Sequence, residues 1–362
     1  MSAPFSVGNE WLSDAGPAAL VIREHLLPVE GADGVVFPAT FAAAQDGSFD
    51  GGYNIDDFGG GKNVCLIDSV GSQANRIEPL FAKLGYADLV PQVIVRAGEK
   101  SINLLEAGHR AGDAIVRCSE LSEEIRTAFR ALQKGDAEPL AKIAPTSLVF
   151  GAWDSRDTGA KVPRLIASTI QAFDVRPLTR SANFLVQQRV DYVVEGLLPE
   201  AATDSEKKGY SKHGYLNALA SKTAGGVIAS GGIRRDAALH LAALRLLSAG
   251  ENEAKTLTLR RYVLGLALTA FTYSPAGYLR QGCNLVADPD KSREFCEVYS
   301  DGRRVAATVR HEDALEYARA SAKDFGVGKN RCVEFDKERA KKDISGEGAK
   351  GKSKKPENKQ GK

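Results

Sequence analysis

The chain has 362 residues, of which 43% are hydrophobic, enough for one elaborated domain or two smaller ones around a substantial core. Its formal net charge of +2 is unevenly placed: residues 337–362 hold ten Lys/Arg and four Asp/Glu, a net of +6, which leaves −4 on the body. Such a body does not bind nucleic acid merely by being basic, so any binding groove must come from local clustering.

No apolar run approaches the roughly 20 residues that span a bilayer, and MSAPFSVGNE has neither a basic n-region nor an apolar h-region, so a cytoplasmic location is the default expectation. Cys65, Cys118, Cys283, Cys296 and Cys332 are odd in number and widely spaced, which indicates neither a disulfide framework nor a zinc site.

In chain order, residues 18–27 read as a short amphipathic element and GADGVVFPATF as a strand up to Pro38. Residues 45–62 are so rich in Gly and Asp that they read as a loop. Val64 to Ile67 fit a buried strand, followed by a turn and a short helix over 74–84, within which Pro79 marks a kink or a restart. Residues 88–96 and 114–118 read as strands, and 120–133 as a helix with Leu121, Ile125, Phe129 and Leu132 on one face.

SLVFGAWDS ends an expected strand, VPRLIASTIQAFDV reads preferentially as a helix, and 187–195 as a strand. A polar insertion over 198–222 precedes glycine-rich GGVIASGGIRR. Helices are expected over 236–247, 256–270 and 314–321, with a strand at 304–310. Short strands mixed with helices and long polar insertions argue for an α+β fold rather than a regular Rossmann sheet. The expected organisation is one domain over 1–336, with insertions near 45–62, 97–145 and 198–222, and a disordered Lys-rich tail over 337–362. That tail reads either as a solubilising terminus or as a salt-sensitive phosphate attractor.

Four constellations carry chemistry. DSVGSQANRIE at 68–78 sets small donors, Gln73, Asn75 and Arg76 at a strand-to-helix transition, where they either hold phosphates and sugars or cap and pair within the fold. FGAWDSRDTGAKVPR at 150–164 interleaves Arg156, Lys161 and Arg164 with small residues beside Trp153, as a backbone-clamping loop would. Asp154 and Asp157 raise a magnesium question, but no third carboxylate or histidine follows at a persuasive spacing. KKGYSKHGY at 207–215 suits RNA stacking, a subunit contact or a solvated insertion. GGVIASGGIRR at 225–235 allows close backbone approach at Gly225 and Gly226, with Arg234 and Arg235 following. It is neither GxGxxG nor a Walker loop, and no Ser/His/Asp, Cys/His or HExxH arrangement appears.

CLIDS at 65–69 with SQANRIE at 72–78, then LVFGAWDS at 148–155 with Lys161 and Arg164, and finally GGV at 225–227 resemble the backbone subunit family of type I-G (formerly I-U) CRISPR effectors. The resemblance covers residues 35–250 best. It implies a repeat-associated, RNA-binding protein built on a modified RRM-like, ferredoxin-like palm with thumb and finger insertions. Several copies of such a subunit stack along the spacer part of one CRISPR RNA and hold it for pairing with a target DNA strand, beside other effector-complex subunits. Target destruction in such systems falls to a recruited helicase-nuclease.

On this resemblance, guide-backbone contact falls to Ser72, Gln73, Asn75, Arg76, Arg156, Lys161 and Arg164, with Gly225, Gly226, Arg234 and Arg235 as a close-approach loop. No catalytic residue, metal, cofactor or membrane partner is expected, and the chain is expected not to be an enzyme. Two other readings remain open: a magnesium-dependent RNA endonuclease using Asp68 or Asp154, and a protein-only scaffolding module.

Overall fold

The computed structural model describes residues 9–184, 191–216, 218–274 and 277–345. Residues 18–27, expected as an amphipathic element, belong to a strand, β1 (Ala19–Pro28). The segment expected as a loop over 45–62 instead supplies β2 (Ile55–Gly59) and the start of β3 (Lys62–Asp68). Gly59, Gly60 and Gly61 all take positive φ there, a conformation that strains L side chains, so the glycines make a hairpin turn rather than an irregular loop. Ser69 caps α1 (Val70–Ile77), and Pro79 opens a separate 3-10 turn over Glu78–Ala82, which is the expected restart.

Residues 114–118 form a short helix (Ala114–Arg117) capped by Asp113 rather than a strand. The expected helix over 120–133 is α2 (Ser122–Gln133). This helix delivers Ile125 and Phe129 to the larger core, and the following helix, Glu138–Ile143, adds Leu140. The residues before Gly151 are a helical turn (Thr146–Phe150) instead of a strand.

The segment read as a helix after Pro163 is β4 (Ile166–Phe173), and it alternates strictly, with Ile166, Ser168, Ile170 and Ala172 buried. A long hairpin follows, made of β5 (Val175–Phe184) and β6 (Ala218–Ala229). The expected strand over 187–195 lies partly outside the described residues, and 192–196 form turns. The expected helix over 236–247 is overturned as well: β7 (Ile233–His240) occupies its first half and one helical turn (Leu241–Leu244) its second. Pairing of β7 with both β1 and β4 overrides the helical preference of its Ala and Leu residues.

Next come α3 (Glu253–Thr272), β8 (Cys283–Ala287), β9 (Glu294–Val298) and α4 (His311–Phe325). The tail expected to be disordered begins as α5 (Lys337–Ser345). Arg339 pairs with Glu123 and Asp343 with Arg117, which fastens this helix to the body. Residues 346–362 lie outside the described residues.

Among the described residues the principal sheet has nine strands, running Tyr278–Arg280, β8, β1, β7, β4, β3 and β2. β9 joins the first half of β1, and Arg304–Ala306 pairs with β9. Every neighbouring pair in this sheet is antiparallel. The molecule is thus α+β around a large antiparallel sheet.

One face of that sheet is buried in two patches. Leu20, Ile22, Ile166, Ala237 and Leu239 join the helices in the larger cluster, whereas Leu26, Ile170, Ala172 and Ile233 join Cys65, Ile67, Val227 and Leu285 in a smaller one. Buried polar groups lie between them: Ser168 of β4, Arg235 of β7, Gln73 of α1 and Asp68 of β3. Through the Gln73–Ser168 contact this polar belt ties α1 to the sheet.

Candidate nucleic-acid interface

The belt is anchored on Asp68, whose side chain is fully buried. Ser72 Oγ donates to its Oδ1 at 2.7 Å and Gln73 Nε2 to its Oδ2 at 2.6 Å. Arg76 Nε donates at 3.2 Å and Arg280 Nη2 at 3.1 Å. Ser168 Oγ in turn donates to Gln73 Oε1 at 3.1 Å. Four donors on one carboxylate offset its desolvation and lock the strand-to-helix turn.

This placement corrects part of the expected site. Gln73 is buried and spent on Asp68 and Ser168, so it reaches no external ligand, and Ser72 gives its hydroxyl to Asp68. Asn75 and Arg76 remain exposed on the outer side of α1, although Arg76 leans on Asp68.

Asn75 leads to the second constellation through a residue that the sequence reading missed. Arg110 is buried and donates from Nη2 to Asn75 Oδ1 at 3.0 Å and from Nη1 to the Gly151 carbonyl at 3.3 Å. Its guanidinium also sits 5.4 Å from the Phe150 ring centroid and 2.6 Å from Glu78 Oε2. Burial pushes the Glu78 carboxyl up, to about 7, against the pull of Arg110. Arg110 holds φ +54, a left-handed conformation uncommon for a side chain of this size, as happens where surrounding contacts over-determine a functional backbone. The GHRAG turn at 108–112 carries the only sequence hint of this bend.

Arg110 and His109 form one side of a groove of about 570 Å³, and Trp153, Lys161 and Arg164 form the other. Trp153 is 57% exposed, with Lys161 Nζ 4.9 Å from its ring centroid. Among the described residues neither Lys161 nor Arg164 has a carboxylate partner, so both charges face outward. Asp154 orders the intervening loop, accepting from Thr158 N at 2.8 Å and Thr158 Oγ1 at 2.7 Å, while Asp157 pairs with Arg126. Arg156 lies elsewhere, in a mixed-charge groove with Arg117, Arg126 and α5.

The glycine segment is structural. A Cβ on Gly225 would meet the Leu178 carbonyl at 2.8 Å, and one on Gly226 would meet Val35 at 2.4 Å, so these glycines let the long hairpin cross neighbouring backbone. Arg235 is buried beside Glu24 rather than solvated or available to RNA. Arg234 lies on the open sheet face, bonded to Asp236 and 4.7 Å from the Phe173 ring centroid. The KKGYSKHGY stretch begins in a helix, Asp204–Lys212, held by a capping box between Thr203 and Glu206, and its lysines are exposed.

The geometry therefore assembles His109, Trp153, Lys161 and Arg164 into one exposed, cationic, aromatic-edged surface, with buried Arg110 tying it to Asn75 of α1. This is the donor set that recognises phosphates and stacked bases. Residues 20–177 match the family of CRISPR-associated protein GSU0053. That matched stretch holds nearly all of β1, with α1, the groove and β4, and the family's description specifies no subunit role. No curated protein matches the chain. No helix among the described residues is long and apolar enough to cross a membrane.

Proposed function

We propose that this protein binds the spacer region of CRISPR RNA as a repeated backbone subunit of a DNA-targeting surveillance complex. The observation that carries the reading is the groove between His109–Arg110 and Trp153–Arg164: two outward-facing cations and an exposed indole beside α1, within the CRISPR-associated stretch. Such a site grips phosphates and sugars and leaves the pairing edges of the bases free for a target strand.

Topology supports the same reading. The order β9-β1-β7-β4, antiparallel throughout, with α1 packed on β4 and α3 following β7, matches the split βαβ connectivity of an RRM-like, ferredoxin-like palm. The β5–β6 hairpin, inserted between β4 and β7, then serves as a thumb. Further copies of the chain and other effector subunits complete the assembly, and the helicase-nuclease acts on the assembled complex. The role is one of binding without catalysis: Asp68 and Asp154 use their oxygens on protein donors.

The test is co-expression with a CRISPR array, followed by purification and sequencing of the retained RNA. Discrete spacer-containing RNA in a high-mass assembly, lost on Lys161→Ala with Arg164→Ala, is the expected result. Recovery without RNA, or equal RNA in the double variant, overturns it.

A further inference from the structure

Glu24 of β1 and Arg235 of β7 stand opposite one another in register, on the inward side of the sheet. Arg235 is 5% exposed. Its Nε lies 2.9 Å from Glu24 Oε2 but is not directed along that line, so the contact is an ion pair rather than a hydrogen bond. Its Nη2 meets no acceptor among the described residues. Buried donors are almost always satisfied, and one that is not asks for an explanation.

Both side chains border a cavity of about 250 Å³ whose walls also include aliphatic Leu26, Ile170, Leu279 and Leu285 together with Ser274 and Gln73, the latter already spent on Asp68 and Ser168. Exposed Val286 stands at its rim. The volume is below that of sites for drug-sized ligands and suits a single ring system. An anion drawn to Nη2 would also meet the Glu24 carboxylate, which disfavours phosphate. Glu24 Oε1 has Arg293 as its cationic neighbour, at 3.9 Å, beyond hydrogen-bond reach. The cavity thus offers an unfilled Arg235 donor and an underused Glu24 acceptor among mainly aliphatic walls.

We propose that this cavity is a binding site for one uncharged heterocyclic ring with adjacent N–H and C=O groups, of which uracil is the smallest nucleobase example. The carbonyl accepts from Arg235 Nη2, the N–H donates to Glu24, and the ring faces pack on the aliphatic walls. The site lies on the inward side of the sheet, and the inference does not rest on guide binding, since a free nucleoside suffices to fill it.

The experiment uses the full chain freed of RNA, with uridine as probe and 3-methyluridine and inorganic phosphate as comparators, read by ligand-detected NMR and calorimetry. Uridine is expected to bind saturably, and 3-methyluridine, which lacks the N–H, at least about tenfold more weakly, because a site built on hydrogen bonds rejects an analogue that leaves them unmade. Val286→Trp, a substitution at an exposed rim position, is expected to weaken uridine at least about tenfold while leaving the thermal midpoint and RNA retention unchanged. Absence of saturable binding at millimolar uridine overturns the proposal. So does equal binding of the methylated analogue, displacement of uridine by phosphate, or indifference to Val286→Trp. Loss of guide retention in Lys161→Ala with Arg164→Ala bears on the groove alone, so the two readings fail separately.

Discussion

Asp68 illustrates how a residue that looks available in a sequence is consumed by a fold. Its carboxylate is fully buried under Ser72, Gln73, Arg76 and Arg280, so Asp68→Ala strands the buried Gln73 amide, removes a partner from the other three, and is expected to cost about 3 kcal/mol or more in chemical denaturation. A removable catalytic carboxylate would leave stability level or raised. His311 gives a second prediction at this scale. Its ring nitrogens contact Tyr86 Oη at 2.9 Å and Thr272 Oγ1 at 3.0 Å, and burial lowers its pKa, in keeping with a position at the positive end of α4. The unfolded chain therefore takes up a proton that the folded one resists. Stability is expected to be complete above the ordinary histidine value of about 6.5 and to decline as pH falls toward the lowered folded value. An NMR titration of His311 alongside urea melts checks both halves. At residue scale the sequence points to Lys161, Arg164 and Trp153, which the groove does bring together, and to Asn75, which is linked to it through Arg110. It misplaced Gln73, Gly225, Gly226 and Arg235, because burial is a long-range property that no local spacing encodes, and it missed Arg110 and Arg280 because their partners are far away in the chain.

At the scale of elements, legibility followed the ratio of local to tertiary determination. α2, α3 and α4 carry a strong cap or a long apolar pattern and were foreseen within a few residues. The helix expected over β4 overlooks the period-two alternation of IASTIQAF and its Ile, Thr and Phe content, whereas in β7 the Ala and Leu of DAALH favour helix in isolation and only pairing on both edges decides otherwise. The capping box at Thr203 and Glu206 was present as TDSE and could have announced the helix inside the polar insertion. α3 and α4 meet closely at Gly265, where a Cβ would stand 2.8 Å from Ala318 Cα and 2.6 Å from Ser321 Oγ. Gly265→Ala, despite its gain in helix propensity, is therefore expected to destabilise the pair by about 1–3 kcal/mol, measurable as a lowered thermal midpoint. The stacking of Tyr262 on Phe325, with centroids 4.5 Å apart, sits in the same interface and transmits the strain.

For the whole molecule, the charge distribution sets the expected energetics of RNA binding. A body of net −4 engages a polyanion through a confined cationic strip, while its net negative charge opposes non-specific adhesion. Lys161→Ala with Arg164→Ala removes two phosphate partners, and the slope of log affinity against log salt is expected to become shallower by about 1.4 on single-stranded RNA. Arg156→Ala, in the separate mixed-charge groove beside α5, is expected to leave that slope nearly unchanged. Filter binding across a salt series distinguishes the two.

The belt of buried polar groups also divides the apolar interior. Hydrophobic contact spreads cooperativity, whereas a band of charges held only by mutual pairing does so weakly once one member loosens. The helical portion and the smaller cluster under β8 are thus joined mainly through the continuous strands β1, β4 and β7. Native-state hydrogen exchange is expected to resolve two opening units, with amides near Ile233 and Leu285 exchanging at lower free energy than those of α3. A chain arranged in this way can reshape one end of its sheet while the other stays folded.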